Sequence, residues 1–326
     1  MRVAFLGPPG TFTEEALLSD PELAAGELVP LASIPEVIAA VESGRADVGV
    51  VPVENAIEGS VNVTLDALAF ESALLIQDEI VRPVSLNLLG KKGTRLTDVR
   101  TVVSMPYATG QCREWLSRKL PRAEIVAANS TAGAAERVAR SRASGTAAIG
   151  TRLAAELNGL RVLAAEIEDH PDNATRFVVI GRGIPAPSGH DKTTIVCYQR
   201  EDRPGSLLSI LQEFAARAIN LTRLESRPTK QGLGRYCFVI DCEGHVADEL
   251  VADTLRNLAA KHGGVKFLGS YPAASTEAAK ERRRAAGQAW REAVRWVEEL
   301  RALVGDDGAP GSATGRRGRS PRTPRT

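Results

Sequence analysis

The chain has 326 residues, 43% of them hydrophobic and 25% charged, with a formal net charge of +1. That length suits two domains with additions, and the composition is that of a globular protein. Near-neutrality and 4% aromatic content argue against nucleic acid and membrane surfaces as partners.

Cys112, Cys197, Cys237 and Cys242 form no C-x-x-C pair, and the histidines do not cluster with them, so neither metal nor redox chemistry is indicated. No apolar run reaches the ~18 residues of a membrane span. The first residues enter a strand directly, with no secretory leader pattern. The expectation is a cytoplasmic protein.

The predicted elements begin with a strand at Val3 to Leu6. "GPPGTFTEEA" follows, a glycine-bounded turn into a helix that Thr11 or Thr13 can cap. Gly7 and Gly10 would let the backbone approach an anion at that helix start, although a plain strand-to-helix connection reads equally well. Neither G-x-G-x-x-G nor G-K-[ST] occurs, so a nucleotide has no support. "ADVGVVPVEN" is a second strand; Glu54 and Asn55 project from its end, where open α/β sheets place ligands. Asn55 can orient a hydroxyl or carboxylate. Glu54 suits either a proton donor or a loop-stabilising role.

"LLIQDEIVRPVSLNLLG" is long and extended, as if carrying the chain between two lobes. "TVVSM", "AEIVAAN" and "TAAIG" are further strands, separated by helices near 106–119 and 131–143. Ser104 ends one of these strands, Pro106 starts the helix after it, and Gln111 lies further along. "RVLAAEIEDHPDNATRFVVIG" brings the chain back, and its last strand is preceded by Asn173, Thr175 and Arg176. The βα alternation predicts an α/β fold with a largely parallel sheet, divided into two lobes around a cleft. Arg176 suits a carboxylate clamp and Thr175 offers an adjustable hydroxyl. Strand ends carrying small polar groups suggest a carboxylate-bearing small molecule, without deciding between binding and catalysis.

"RGIPAPSGHDK" (182–192) reads as a linker. Beyond it come a strand at 193–199, a helix at 206–217, strands at 221–227 and 234–242, a helix at 247–261 and a strand at 265–271. That βαββαβ order is ferredoxin-like and predicts a separate small domain. Residues 273–304 contain an amphipathic helix marked by Ala286, Trp290, Ala293, Val297, Leu300 and Val304. Residues 305–326, Gly/Pro/Ser-rich with five arginines, read as a disordered tail.

Taken together, "GPPGTFTEEA", "PVENAIEG", "ATGQC", "NATRF", "RPGSLLSIL" and "NLTRLESRP", in this order over residues 1 to about 272, resemble the prephenate dehydratase family with its C-terminal ACT domain. The resemblance implies a two-lobed catalytic domain over 1–182, similar to type II periplasmic binding proteins, and a ferredoxin-like ACT domain over 193–272. It implies decarboxylating dehydration of prephenate to phenylpyruvate without metal or other cofactor. Thr175 would assist the leaving hydroxyl, with Asn55, Ser104 and Gln111 as further catalytic residues. Arg176 would bind a substrate carboxylate, while Phe177, Thr11 and Phe12 would shape the pocket.

In the ACT domain, Gly205, Ser206 and Leu207 would meet Asn220, Leu221, Glu225, Ser226, Arg227 and Pro228 across a subunit interface. There they would bind L-phenylalanine as feedback inhibitor, in a homo-oligomer that is a dimer or a tetramer. Ala56, Met105 and Ser206 depart from the family pattern, and His170 lies outside it. An arogenate dehydratase and a non-catalytic amino-acid sensor are the rival readings.

Overall fold

The computed structural model describes residues 1–199, 203–230, 232, 234–274 and 292–302. Residues 1–280 form one unit and the C-terminal segment another. Within the C-terminal segment, 292–302 is helical. Trp290, Val304 and the tail over 305–326 lie outside the described residues.

Lobe one is built on a sheet of order β2-β1-β3-β11-β5, with β4 paired to β3. Its strands are β1 (Arg2–Leu6), β2 (Glu27–Leu31), β3 (Val48–Asn55), β4 (Gly59–Ser60), β5 (Leu75–Pro83) and β11 (Ala174–Gly181). Lobe two has the order β10-β6-β9-β7-β8. It comprises β6 (Asn87–Gly90), β7 (Thr101–Ser104), β8 (Glu124–Ala127), β9 (Thr146–Gly150) and β10 (Arg161–Ala164). The helices of the two lobes are α1 (Phe12–Leu18), α2 (Pro21–Ala24), α3 (Ile34–Glu42), α4 (Asn62–Asp66), α5 (Pro106–Gly110), α6 (Arg113–Lys119), α7 (Thr131–Arg140) and α8 (Arg152–Leu157). Each lobe is thus a mixed sheet with helices of its own.

The expectation of a largely parallel sheet needs correction. β1 runs parallel to β2 and β3, but β11 is antiparallel to both β3 and β5. Likewise β7 runs parallel to β8 and β9, whereas β6 is antiparallel to β9 and β10. On the main path of lobe one β11, which returns the chain from lobe two, runs against the other four strands, and in lobe two β6, the entering strand, runs against its other four.

Local signals place the helix starts. Thr11 caps α1 by accepting the Glu14 N–H, and Ser33, Ser130 and Thr151 cap α3, α7 and α8 in the same way. One apolar face of the lobe-one sheet packs against α1 through Phe5, Leu17, Val50 and Phe177. On that side Asp78 has its carboxyl pushed up to about 6, by burial first and by neighbouring acids Asp20, Glu79 and Glu22, against the opposing Glu79 N–H. Its folded value exceeds the unfolded one, so the penalty is complete above pH 6 and disappears as pH falls toward 4. Asp78→Asn is expected to raise stability by about 1–2 kcal/mol at pH 7, discounting the full shift for partial exposure. Melting temperatures at pH 7 and pH 4 should show the gain only at the higher pH.

Residues Asp191–Pro272 form the βαββαβ domain, with sheet order β13-β14-β12-β15. Its elements are β12 (Asp191–Tyr198), α9 (Ser206–Ala215), β13 (Leu221–Pro228), β14 (Tyr236–Glu243), α10 (Glu249–Lys261) and β15 (Val265–Pro272). Ile210, Phe214 and Leu258 of the helices cover one face of the sheet. The other face does not stand apart: Val196, Val239, Leu268 and Tyr271 share a core with Val51, Leu68, Ile76 and Val178 of lobe one. The small domain is thus packed against lobe one. Two helices cover only one face of a four-stranded sheet, and the apolar second face needs a partner.

Candidate active site

The carboxyl ends of β3, β7 and β9 and the start of β11 hold most of the polar groups singled out in the sequence. Thr175 pairs across β11 with Asn55 on one side and with Arg82 of β5 on the other. Directly opposed residues share a face, so the three form a polar row. The Asn55 amide donates to the Thr175 hydroxyl at 2.9 Å and to the Ala174 carbonyl at 3.3 Å. Its oxygen accepts the N–H groups of Ile57 and Glu58, each at 3.0 Å, so the amide is held rigidly. Thr175 therefore receives a hydrogen bond on oxygen. Its own proton has no protein acceptor among the described residues, which leaves it able to donate.

Gln111 follows α5 in lobe two and reaches across: Nε2 donates to Glu58 at 3.2 Å, and Oε1 accepts from Asn173 at 3.2 Å. Asn173 is buried, and its Oδ1 has no hydrogen-bond partner among the described residues. Ser104 is buried at the end of β7 and donates to the Ile149 carbonyl at 2.8 Å. That proton is committed, so Ser104 can offer a ligand only its lone pairs.

Thr11 donates to Leu6 at 3.0 Å and caps α1. Phe12 packs against the cores of both lobes, whereas Phe177 is buried in that of lobe one and Met105 borders that of lobe two. The loop at Gly10 meets lobe two closely: Thr151 donates to the Gly10 carbonyl at 2.7 Å. A Cβ at Gly10 would stand 2.9 Å from the Ala154 Cα, and the residue has φ +89°. Glycine is required here by contact and by conformation. Glu15 accepts the Leu153 N–H at 3.3 Å. Its carboxyl is raised by burial, against the Leu153 N–H and the charge of Arg82.

Arg176 is not part of this constellation. Successive strand residues face opposite sides, and its guanidinium lies on the far face, paired with Glu79 and Asp241. The expected substrate-carboxylate clamp is thus corrected. Glu54 shares that far side, 3.5 Å from Arg176 and 3.9 Å from Arg223, which removes it as a proton donor beside Thr175. Asn173 stands at the strand mouth singled out in the sequence, whereas Thr151, Glu58 and Arg82 were missed as site residues. The T-x-x-A start after "TAAIG" was a readable capping signal for Thr151, but the other two depend on long-range register.

In the βαββαβ domain a groove of about 480 Å³ lies between α9 and the sheet. Gly205, Ser206, Leu207 and Ser226 line it, joined by Arg203, Leu211, Tyr236 and Phe238. Gly205 caps α9 with φ +85°, a left-handed position suited to glycine. Alternation along β13 splits the other expected residues. Ser226 faces the groove, while Glu225 takes the hydroxyl of Ser60 at 2.5 Å and pairs with Arg223 and Arg227. Arg227 is buried and bonded to Asp66 and Asn62. Asn220 reaches Glu243 at 3.0 Å, Leu221 packs into the domain core and Pro228 is exposed. Glu225, Arg227, Asn220, Leu221 and Pro228 therefore do not line this groove within one chain. Glu225 and Arg227 bind lobe one instead.

Two lobes that meet beside a hydroxyl-bearing polar row, with a small domain sealed onto one of them, suit a small-molecule enzyme with an attached regulatory module. A model of the prephenate dehydratase family matches residues 3–184, and one of the ACT domain matches residues 193–260. The prephenate dehydratase of Mycolicibacterium vanbaalenii is 44% identical over 314 residues, covering 92% of this chain and 98% of that protein. The crystal structure of prephenate dehydratase from Arthrobacter aurescens in complex with L-Phe superposes with a TM-score of 0.78 at 40% identity, covering 90% of this chain and 99% of that one. GqqA, described as a novel type of quorum quenching acylase, gives 0.74 at 31% identity, with 84% and 98% covered. The chain belongs to the prephenate dehydratase family and carries an ACT domain. Its activity is prephenate dehydration.

Proposed function

We propose that Thr175 donates the hydrogen bond that carries off the ring hydroxyl of prephenate. The carrying observation is its bonding: the oxygen accepts from Asn55, so the proton is directed elsewhere. The ring carboxylate leaves as carbon dioxide. Its electron pair passes through the ring and expels the hydroxyl, which takes a proton to become water. A threonine hydroxyl is too weak an acid to surrender its proton, so it assists by hydrogen bonding while solvent supplies the proton. Asn55 sets the Thr175 rotamer, and Gln111 and Asn173 hold the lobes in register. Thr11, Phe12 and Phe177 shape the pocket floor, Ser104 offers lone pairs, and Arg82 brings positive charge to this face.

The catalytic domain spans 1–182 and the ACT domain 193–272. L-phenylalanine inhibits from the ACT groove, where Ser206, Leu207 and Ser226 meet it. Self-association through the ACT domain is supported by β13, an edge strand, and by exposed Leu208, Leu224 and Tyr236 close to that edge. Such edges seek a partner. Among the described residues no helix is long and apolar enough to cross a membrane, and the family's biosynthetic reaction suits the cytoplasm. An acylase reading lacks support. The Ser104 proton is given to a carbonyl, and no histidine is hydrogen-bonded to Ser104 or Thr175 among the described residues.

The test is phenylpyruvate formation from prephenate, with arogenate assayed in parallel and with added L-phenylalanine. Turnover of prephenate that L-phenylalanine suppresses is expected. Turnover of arogenate alone would change the substrate, and uninhibited turnover would remove the effector assignment.

A further inference from the structure

Arg176 follows Thr175 directly and points to the opposite side of the sheet. Its side chain is 11% exposed, and all of its nitrogens have protein partners. Nε donates to Glu79 at 2.6 Å, Nη1 to Asp241 at 2.6 Å and Nη2 to the Tyr271 hydroxyl at 2.7 Å. Glu79 belongs to β5 and is held in turn by Lys192, at 2.8 Å to each carboxylate oxygen. Asp241 and Tyr271 belong to the ACT strands β14 and β15. Thr194 ties them together, donating to Asp241 at 2.8 Å and lying 2.5 Å from the Tyr271 hydroxyl. Burial opposes both charges, yet Asp241 stays depressed through Arg176, Arg223 and the Thr194 hydroxyl, while Arg176 is raised by Tyr271, Asp241 and Glu79. The pair is ionised and complete.

We propose that Arg176 is a positioning residue for Thr175, and that the ACT domain supplies half of the clamp that holds it. The inference rests on the role given to Thr175 above. The need for a clamp is visible in the register. Pairing between β3 and β11 shifts between Arg176 and Phe177, whereas β11 stays in register with β5 from Ala174 to Val179, so on the β3 side the Thr175–Asn55 contact lies beyond a bulge. A hydrogen-bond donor there must be held closely, because a misplacement of about 1 Å can reduce a rate about 100-fold. Guanidinium geometry suits the task, since its planar fork fixes two carboxylates at set angles. A chain from β14 through Asp241 and Arg176 to Thr175 thus links the ACT sheet to the reacting hydroxyl.

The experiment compares Asp241→Asn, Arg176→Lys, their double variant and Tyr271→Phe in the full chain, by kcat and KM for prephenate. Asp241→Asn and Arg176→Lys are each expected to lower kcat about 10-fold or more, with KM changed less than about 3-fold. The double variant should be no slower than the slower single one, as for residues acting through one contact. Tyr271→Phe keeps the core packing and removes one hydroxyl, so it should move kcat in the same direction by less; it decides the matter if Asp241→Asn does not fold. Wild-type kcat in folded Asp241→Asn or Tyr271→Phe would overturn the proposal. So would a raised KM with unchanged kcat in Arg176→Lys, the mark of a substrate clamp. Thr175→Ala is run alongside: full activity there would overturn the role of Thr175 itself, whatever the clamp variants do.

Discussion

Thr175→Ala is expected to lower kcat for prephenate by about 100- to 1000-fold, the usual effect of removing one donor aimed at developing negative charge. The charge in question appears on the oxygen that leaves the ring, and it appears only in the transition state. Loss of the donor should therefore reduce kcat while KM changes little. Thr175→Ser retains the hydroxyl and should keep much of the rate, with some loss because the γ-methyl no longer restricts the rotamer. Thr175→Val preserves shape without the donor and should fall with the alanine variant. Steady-state rates of phenylpyruvate formation, with melting temperatures as a folding control, make the comparison. Alanine and valine variants that turn over like the parent would remove Thr175 from the mechanism and return attention to Ser104 and Gln111.

Gly269→Ala should unsettle the attachment of the ACT domain. Gly269 sits in β15 at φ +145°, and an added Cβ would press into the carbonyl of Ile76 on β5. The pairing of β12 with β15 is irregular at this point, between Thr194 and Ile195, so the strand already bends to bring its backbone against lobe one. Neither neighbour is a flexible side-chain end that can rotate away. Overpacking and backbone strain together should cost about 2–4 kcal/mol, seen as a melting temperature lower by about 4–12 °C. A variant that melts with the parent would show that the interface between β15 and β5 yields easily, and would weaken the view that the two sheets share one core.

The polar residues at strand mouths were legible because strands end where apolar runs end. Asn55 and Thr175 were assigned to one site, and their side chains touch. The alternation of β11 was equally legible: Thr175 and Phe177 had to share a face that Arg176 does not. What could not be read was which face meets the cleft and which meets the ACT sheet, because Glu79, Asp241 and Tyr271 come from distant parts of the chain. The same reason split Glu225 and Arg227 from Ser226 along β13.

For this protein the sequence by itself determined the βα alternation of the lobes, the βαββαβ order of the second domain and the caps of its helices, since these depend on neighbours a few residues apart. In the structure β12 and β14 are buried almost throughout, as in a sheet covered on both faces. Only the tertiary structure decided what covers them, which strands reverse, and which arginine lies beside Thr175. Those outcomes rest on contacts between segments 60 or more residues apart, such as Arg176 with Asp241, and a local pattern contains no information about which of several compatible partners will meet.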